Sequence, residues 1–246
     1  MNKLPKIAFG SLARDIESNF NNYYSFLSNL EKLVDIDLFI YENDSIDNSK
    51  KLIPQITNYY ILEDNNIPKF PNIVSFKRAS IFANYRNILK DFIFGTYDYK
   101  IVIFCDSDFS IYPDPNIILF NINRLLNNNK IGAITSNGLS YVCIKDKGFT
   151  LVYYDIWALA VNNKIFDHNI IYARDINQEI EVDSAFGGLA IYNGEYIKNL
   201  HYEAIYLDGY EGKPLNRPCS EHVNFNLDLR KQDLSILINP NQKLYL

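Results

Sequence analysis

Along the first half of the chain, short apolar runs alternate with longer segments of helical period. Lys6-Ile7-Ala8-Phe9 is an apolar run closed by Gly10-Ser11, which reads as a first strand and turn. Ile16, Phe20, Tyr23, Tyr24, Leu27, Leu30 and Leu33 recur at intervals of three and four, predicting a helix that ends near Leu33. Asp37-Leu38-Phe39-Ile40-Tyr41 reads as a second strand, closed by Glu42-Asn43-Asp44-Ser45. Strand, helix and strand in that order predict a parallel pair with a crossover helix. Ser45 or Asp47 is placed to cap a short helix toward Gln55, and Tyr59-Tyr60-Ile61-Leu62 predicts a third strand. The polar, proline-bearing stretch 63–71 reads as a surface loop.

Ser80 stands before Ile81, Phe82, Tyr85, Ile88, Leu89, Phe92 and Ile93, which predicts a capped helix ended by Gly95. Ile101-Val102-Ile103-Phe104-Cys105 has no alternation, the signature of a strand buried on both faces. Pro113 and Pro115 lead into a helix over about 116–127, and Ile131-Gly132-Ala133-Ile134 predicts another central strand. From Asn137 the pattern breaks into short mixed runs, among them 153–161 and 186–192, which predict more antiparallel or irregular structure. The expected fold is α/β, with a mostly parallel central sheet flanked by helices and a smaller mixed sheet in the second half. No repeat or linker divides the chain, so one domain over 1–246 is expected.

Composition narrows the function classes. Hydrophobic residues make up 48% and charged residues 22%, as in a globular protein. A net charge of −5 argues against a nucleic-acid partner, yet leaves room for a nucleotide held by one local cation. Cys105, Cys143 and Cys219 are odd in number and widely spaced, giving no disulfide or zinc framework and suggesting a reducing compartment. No signal-peptide pattern opens the chain and no apolar stretch approaches a membrane span. A cytoplasmic protein without a transmembrane segment is expected, peripheral membrane association being left open.

Candidate chemistry centres on Asp106-Ser107-Asp108, directly after the apolar run 101–105. The C-terminal ends of strands in open α/β sheets form the ligand crevice, and two carboxylates there suit a hard divalent cation. A turn in which the Asp side chains bond their own backbone is the competing reading. Arg86, one helix upstream, could clamp a phosphate in a two-point fashion or pair with an acid such as Asp91. Glu42 and Asp44 close the second strand, where acids reach ribose hydroxyls or a base edge, or simply form a turn. Arg14 could approach phosphates from the first loop. Strand-like alternation would put Asp155 and Trp157 on one face, an acid beside an indole that suits a sugar. Gly187-Gly188 permits close approach of a ligand or marks a bulge. Glu221-His222 joins an acid to one of three histidines, the others being His168 and His201.

In this order the pieces resemble a glycosyltransferase of the GT-A, Rossmann-like fold. Asn84-Tyr85-Arg86-Asn87-Ile88-Leu89 followed by Cys105-Asp106-Ser107-Asp108-Phe109 resembles the helix-plus-DXD core of such enzymes. Segment 40–47 is similar to the strand-end segment of the fungal capsule mannosyltransferase group and related viral and bacterial enzymes. Segments 154–159 and 220–223 are similar to that group as well, and the likeness extends over about 6–230. It implies a UDP- or GDP-sugar donor, a glycan or glycoconjugate acceptor, Mn²⁺ or Mg²⁺, and transfer of a hexosyl group to a hydroxyl. It assigns about 1–135 to the donor and about 136–246 to the acceptor. Asp106 and Asp108 match the metal motif, with Arg14, Glu42, Asp44, Arg86 and Ser107 on the donor. Asp155, Trp157 and Gly188 fall on the acceptor side. In many inverting relatives an Asp follows the Glu at the position of Glu221-His222 and acts as general base. Here His222 stands there, so either Glu221 or His222 takes the proton, and His222 is also a candidate metal ligand. Three other readings compete: a phosphatase with a strand-end Asp-x-Asp, a sugar nucleotidyltransferase, and a non-catalytic carbohydrate-binding module. The phosphatase motif normally lies near the N-terminus, and segment 8–12 lacks the glycine-rich phosphate loop of the nucleotidyltransferases.

Overall fold

A computed structural model describes residues 4–67, 69, 75–144, 148–162, 164–165, 177–206 and 218–246. His168 and parts of the loop expected at 63–71 lie outside these residues. Strands β1 (Ile7–Ala13), β2 (Ile36–Asn43), β3 (Tyr59–Glu63) and β4 (Ile101–Cys105) pair in parallel, in the order β3-β2-β1-β4. Helix α1 (Phe20–Glu31) joins β1 to β2, and a short helix α2 (Ser49–Leu52) with a 3-10 turn precedes β3. Helix α3 (Phe76–Thr96) leads into β4, and α4 (Pro115–Asn127) follows it.

In the second half, β5 (Ile131–Ile144) and β6 (Gly148–Tyr153) form an antiparallel pair, and a small ladder of β7 (Ala160–Val161) and β8 (Lys164–Ile165) stands apart. Strands β9 (Ile180–Val182), β10 (Leu189–Asn193) and β11 (Ser235–Tyr245) join the main sheet, with α5 (Gly194–Ile197) and α6 (Glu221–Arg230) between the last two. The nine-stranded sheet continues as β4-β10-β5-β11-β9, with β6 on β5. Strand β10 runs antiparallel to both neighbours, whereas β11 is parallel to β5. The second half therefore extends the same sheet, and only the β7–β8 ladder is separate among the described residues.

Helices cover both faces of this sheet. Val102 and Phe104 pack with Leu89, Ile93, Phe225 and Leu229 of α3 and α6. Ile101, Ile103 and Cys105 pack with Tyr23, Leu27, Ile118 and Ile122 of α1 and α4. Successive side chains point to opposite faces, so burial on both explains the unbroken apolar run at β4.

Element boundaries depart from the sequence pattern where tertiary contact decides. Gly10-Ser11 continues β1 instead of ending it. A Cβ at Gly10 would lie 3.0 Å from Ile93 and 3.1 Å from Phe104, so glycine lets α3 lie close to the strand. Helix α3 starts earlier than Ser80: the Ser75 hydroxyl caps it by accepting from the Arg78 N–H, while Ser80 donates to Phe76 O within the helix. Gly95 lies inside the last turn. Strand β5 runs 14 residues, well past the four apolar ones, because β10, β11 and β6 pair with it in turn.

Candidate active site

Strands β1, β2 and β4 end at one edge of the sheet. Because β10 is antiparallel, its first residue, Leu189, pairs there with Cys105. The Asp106 N–H donates to Gly188 O (2.9 Å), and the Ser107 hydroxyl donates to Leu12 O (2.9 Å). The Asn19 amide donates to Asp108 O at 2.8 Å. The segment after β4 is thus tied to both neighbouring strands, and its two carboxylates face a cleft of about 270 Å³.

Desolvation by the surrounding cleft walls pushes both carboxyls above their usual range, although Asp108 itself is exposed to solvent. For Asp106 the value reaches about 7, with Arg86 opposing the rise and the nearby Asp108 charge adding to it. Two neighbouring oxygen-donor side chains whose ionisation the site disfavours are suited to a shared divalent cation, so these residues fit the metal that a GT-A frame implies. Among the described residues no three His, Cys, Asp or Glu side chains form a ligand cluster. Asp106, Asp108 and His222 all line the cleft without forming one such cluster, and the two aspartates are the paired oxygen donors there.

Arg86 does not stand free for a phosphate. Its Nε donates to Glu221 Oε1 at 2.6 Å and its Nη2 to Asp106 Oδ1 at 3.1 Å. The side chain is buried, and its guanidinium lies 4.9 Å from the Phe186 ring centre. Arg86 joins α3, β4 and α6, which corrects the expectation of an open clamp. Glu221 starts α6, where the Ser220 hydroxyl donates to its second oxygen at 3.1 Å.

His222 is buried to 2% exposure and stacks on Phe186 at 3.8 Å, with Tyr202 edge-on at 5.5 Å. Both ring nitrogens lack hydrogen-bond partners. Nε2 comes within 3.5 Å of Glu221 Oε1, without hydrogen-bonding geometry. Burial, and then the Arg86 charge, hold the imidazole well below its usual pKa. A neutral imidazole so reluctant to accept a proton is disfavoured as a general base, which speaks against that expectation for His222.

Asp155 and Trp157 both line the cleft, but on a turn after β6 rather than on an alternating strand. Asp155 Oδ2 accepts from the Gly187 N–H (3.2 Å) and Oδ1 from the Ala158 N–H (3.3 Å). Burial lifts its carboxyl to about 6, the Glu221 charge adding to the rise against those two backbone donors. The Trp157 indole N–H donates to Pro218 O at 2.7 Å, which fixes the ring. Gly188, with φ +85°, makes room for a protein side chain: a Cβ there would stand 2.2 Å from the Phe109 ring. Its glycine serves packing beneath the cleft, not a ligand's approach.

On the β1 and β2 side, Arg14 lines the cleft and donates from Nη2 to Ile67 O at 2.8 Å. Glu42 is fully buried, accepts from the Ser45 N–H (2.8 Å), and does not line the cleft. Asp44, at φ +56°, accepts from the Asn66 N–H at 2.7 Å and the Ile67 N–H at 3.4 Å. These two acids brace the loops behind the cleft, so the turn reading prevails over ribose contact. The sequence reading missed Arg78, Tyr154 and Phe186 as cleft residues. Arg78 stands one helical turn before Phe82 and two before Arg86, a spacing of four that puts all three on one face of α3.

No protein-family model matches the sequence, and no curated protein matches it. Solved structures do match its fold. Glucosyl-3-phosphoglycerate synthase from Mycobacterium tuberculosis, in complex with Mg²⁺ and UDP, aligns over 98% of this chain and 70% of its own, at 14% identity and TM-score 0.52. Mannosyltransferase PcManGT from Pyrobaculum calidifontis, with GDP-Man and Mn²⁺, aligns over 100% and 57%, at 12% identity and TM-score 0.51. S. aureus TarS with UDP-GlcNAc aligns over 98% and 58%, at 11% identity and TM-score 0.52. The chain spans 57–70% of the length of these structures. Their likeness is one of fold: a GT-A, Rossmann-like α/β architecture with a central mixed sheet between helices.

Proposed function

We propose that this chain is a metal-dependent glycosyltransferase moving a sugar, in the simplest case a hexose, from a UDP- or GDP-sugar to a hydroxyl of a glycan or glycoconjugate. The observation that carries the reading is the pair Asp106 and Asp108, held at the ligand-binding edge of a GT-A sheet and lining one cleft with Asp155 and Glu221. Asp106 and Asp108 would hold Mn²⁺ or Mg²⁺, which offsets charge on the departing nucleoside diphosphate. Arg14 and the Ser107 segment bound the donor side, and Trp157 offers a ring face to a sugar. The first 135 residues, roughly, then serve the donor and the remainder the acceptor.

Three side chains near the cleft could take the acceptor proton. His222 is too weak a base. Glu221 has one oxygen on Arg86 and the other on Ser220. Both of its carboxylate oxygens are thus already engaged by protein groups. Asp155 lines the cleft, and its carboxyl, lifted to about 6, is matched to near-neutral pH. We therefore assign proton removal to Asp155 in an inverting transfer, with Glu221 and Arg86 as positioning residues. A panel of UDP- and GDP-sugars with Mn²⁺ tests the reading by release of nucleoside diphosphate. No release with any donor, together with no metal-dependent binding of UDP or GDP, would refute it.

A further inference from the structure

The cleft holds one cation whose purpose the proposed reaction leaves unexplained. Arg86 is taken by Asp106 and Glu221, Lys69 pairs with Asp15, and Arg14, whose buried Nε also lacks a partner, bonds Ile67 O through Nη2. Arg78 has no carboxylate partner among the described residues, and its buried Nε has no hydrogen-bond partner. The guanidinium carbon instead lies 5.4 Å from the Phe82 ring centre and 5.4 Å from that of Trp157. Phe82 is one turn along α3, and Trp157 is fixed by its bond to Pro218 O. Both rings lie within cation–π reach of the guanidinium, and its buried Nε is left without an acceptor. A planar group so oriented is prepared for two-point bonding to an oxyanion. A buried donor left without an acceptor is costly, which argues that the acceptor comes with the ligand.

We infer that Arg78, clamped between Phe82 and Trp157, is the oxyanion receptor of this cleft, binding a phosphate or carboxylate group of a substrate. The inference rests on the glycosyltransferase reading and deepens it. Asp106 and Asp108 would meet the donor diphosphate through the metal, so a second oxyanion receptor in the same cleft is left for the acceptor. The geometry thus points to an acceptor bearing an anionic group, in place of a neutral sugar.

The test uses the full chain, UDP with Mg²⁺, and inorganic phosphate. Calorimetric titrations compare wild type, Arg78→Ala and Arg78→Lys, and melting without ligand checks that each variant folds. An acceptor-side receptor binds phosphate on protein already saturated with UDP and Mg²⁺. Arg78→Ala weakens that binding about tenfold or more, Arg78→Lys less, and UDP affinity stays unchanged. A receptor for the donor diphosphate gives the other pattern, with UDP weakened tenfold and phosphate excluded once UDP is bound. Wild type that binds UDP while neither titration responds to Arg78→Ala overturns the inference and leaves the donor reading standing. If wild type binds no UDP, that reading fails, and unchanged phosphate affinity in Arg78→Ala then removes the receptor as well.

Discussion

Arg86 and Glu221, 135 positions apart in the chain, meet with Nε and Oε1 separated by 2.6 Å and both side chains buried. The same guanidinium reaches Asp106, so a single residue couples the end of β4 to the start of α6. Removing it leaves the buried Glu221 and the half-buried Asp106 without their cation. Arg86→Met is expected to lower stability by about 3–5 kcal/mol, the range for breaking a buried ion pair from one side. Adding Glu221→Gln should recover part of that loss, because the second charge no longer needs a partner. Urea unfolding of the two single variants and the double variant checks both statements; an additive double variant would show that the pair is not coupled.

Asp108 differs from Asp106 in being exposed, so its charge can be removed with little structural cost. Asp108→Asn is expected to keep the folded stability within about 0.5 kcal/mol of wild type. Nucleoside diphosphate release should fall at least about 100-fold, the scale of losing one major electrostatic contribution at a reacting centre. The affinity for UDP should also cease to depend on Mn²⁺. Equal metal dependence in the variant and wild type would displace the metal from this pair.

Gly188 illustrates a residue whose role is visible only in three dimensions. Its φ of +85° is a conformation that side chains resist, and an added Cβ would fall inside the Phe109 ring's contact distance. Gly188→Ala is expected to destabilise the fold by about 2 kcal/mol or more, through backbone strain and overpacking together. Phe109→Leu in the same chain should relieve the packing part and leave the strain. Thermal melts of the single and double variants separate the two.

Much of the frame was legible in the sequence because period and burial coincide there. β4, α1 and α4 follow from apolar runs and spacings that the two-sided burial of the sheet later explains. The strand-end position of Asp106 and Asp108 was legible for the same reason. What the residues do to one another was not. Arg86 reads as a phosphate ligand until the fold brings Glu221 beside it, and His222 as a base until Phe186 and Tyr202 close over it. Asp155 and Trp157 keep their place at the cleft although the alternation that paired them belongs to a turn. Pair contacts between distant segments leave no periodic trace.

Asp155 gives the proposed reaction a pH dependence whose sign follows from its environment. Its carboxyl is lifted from 3.8 to about 6, chiefly by burial and then by the Glu221 charge. A general base works only when ionised, so turnover should rise about tenfold per pH unit below 6 and level off above it. His222, held neutral well below its ordinary pKa, should contribute no second limb in that window. Asp155→Asn should remove most of the activity at every pH. Stability moves the opposite way: between 3.8 and about 6 the folded chain keeps a proton that the unfolded chain has released. This group's contribution therefore falls as pH rises through that window and stays low above it. Relative to Asp155→Asn, wild type should lose stability between pH 4 and pH 7, a difference that cancels the titration of groups common to both proteins. A kcat profile without a limb near 6 that is lost in the variant would return proton removal to Glu221.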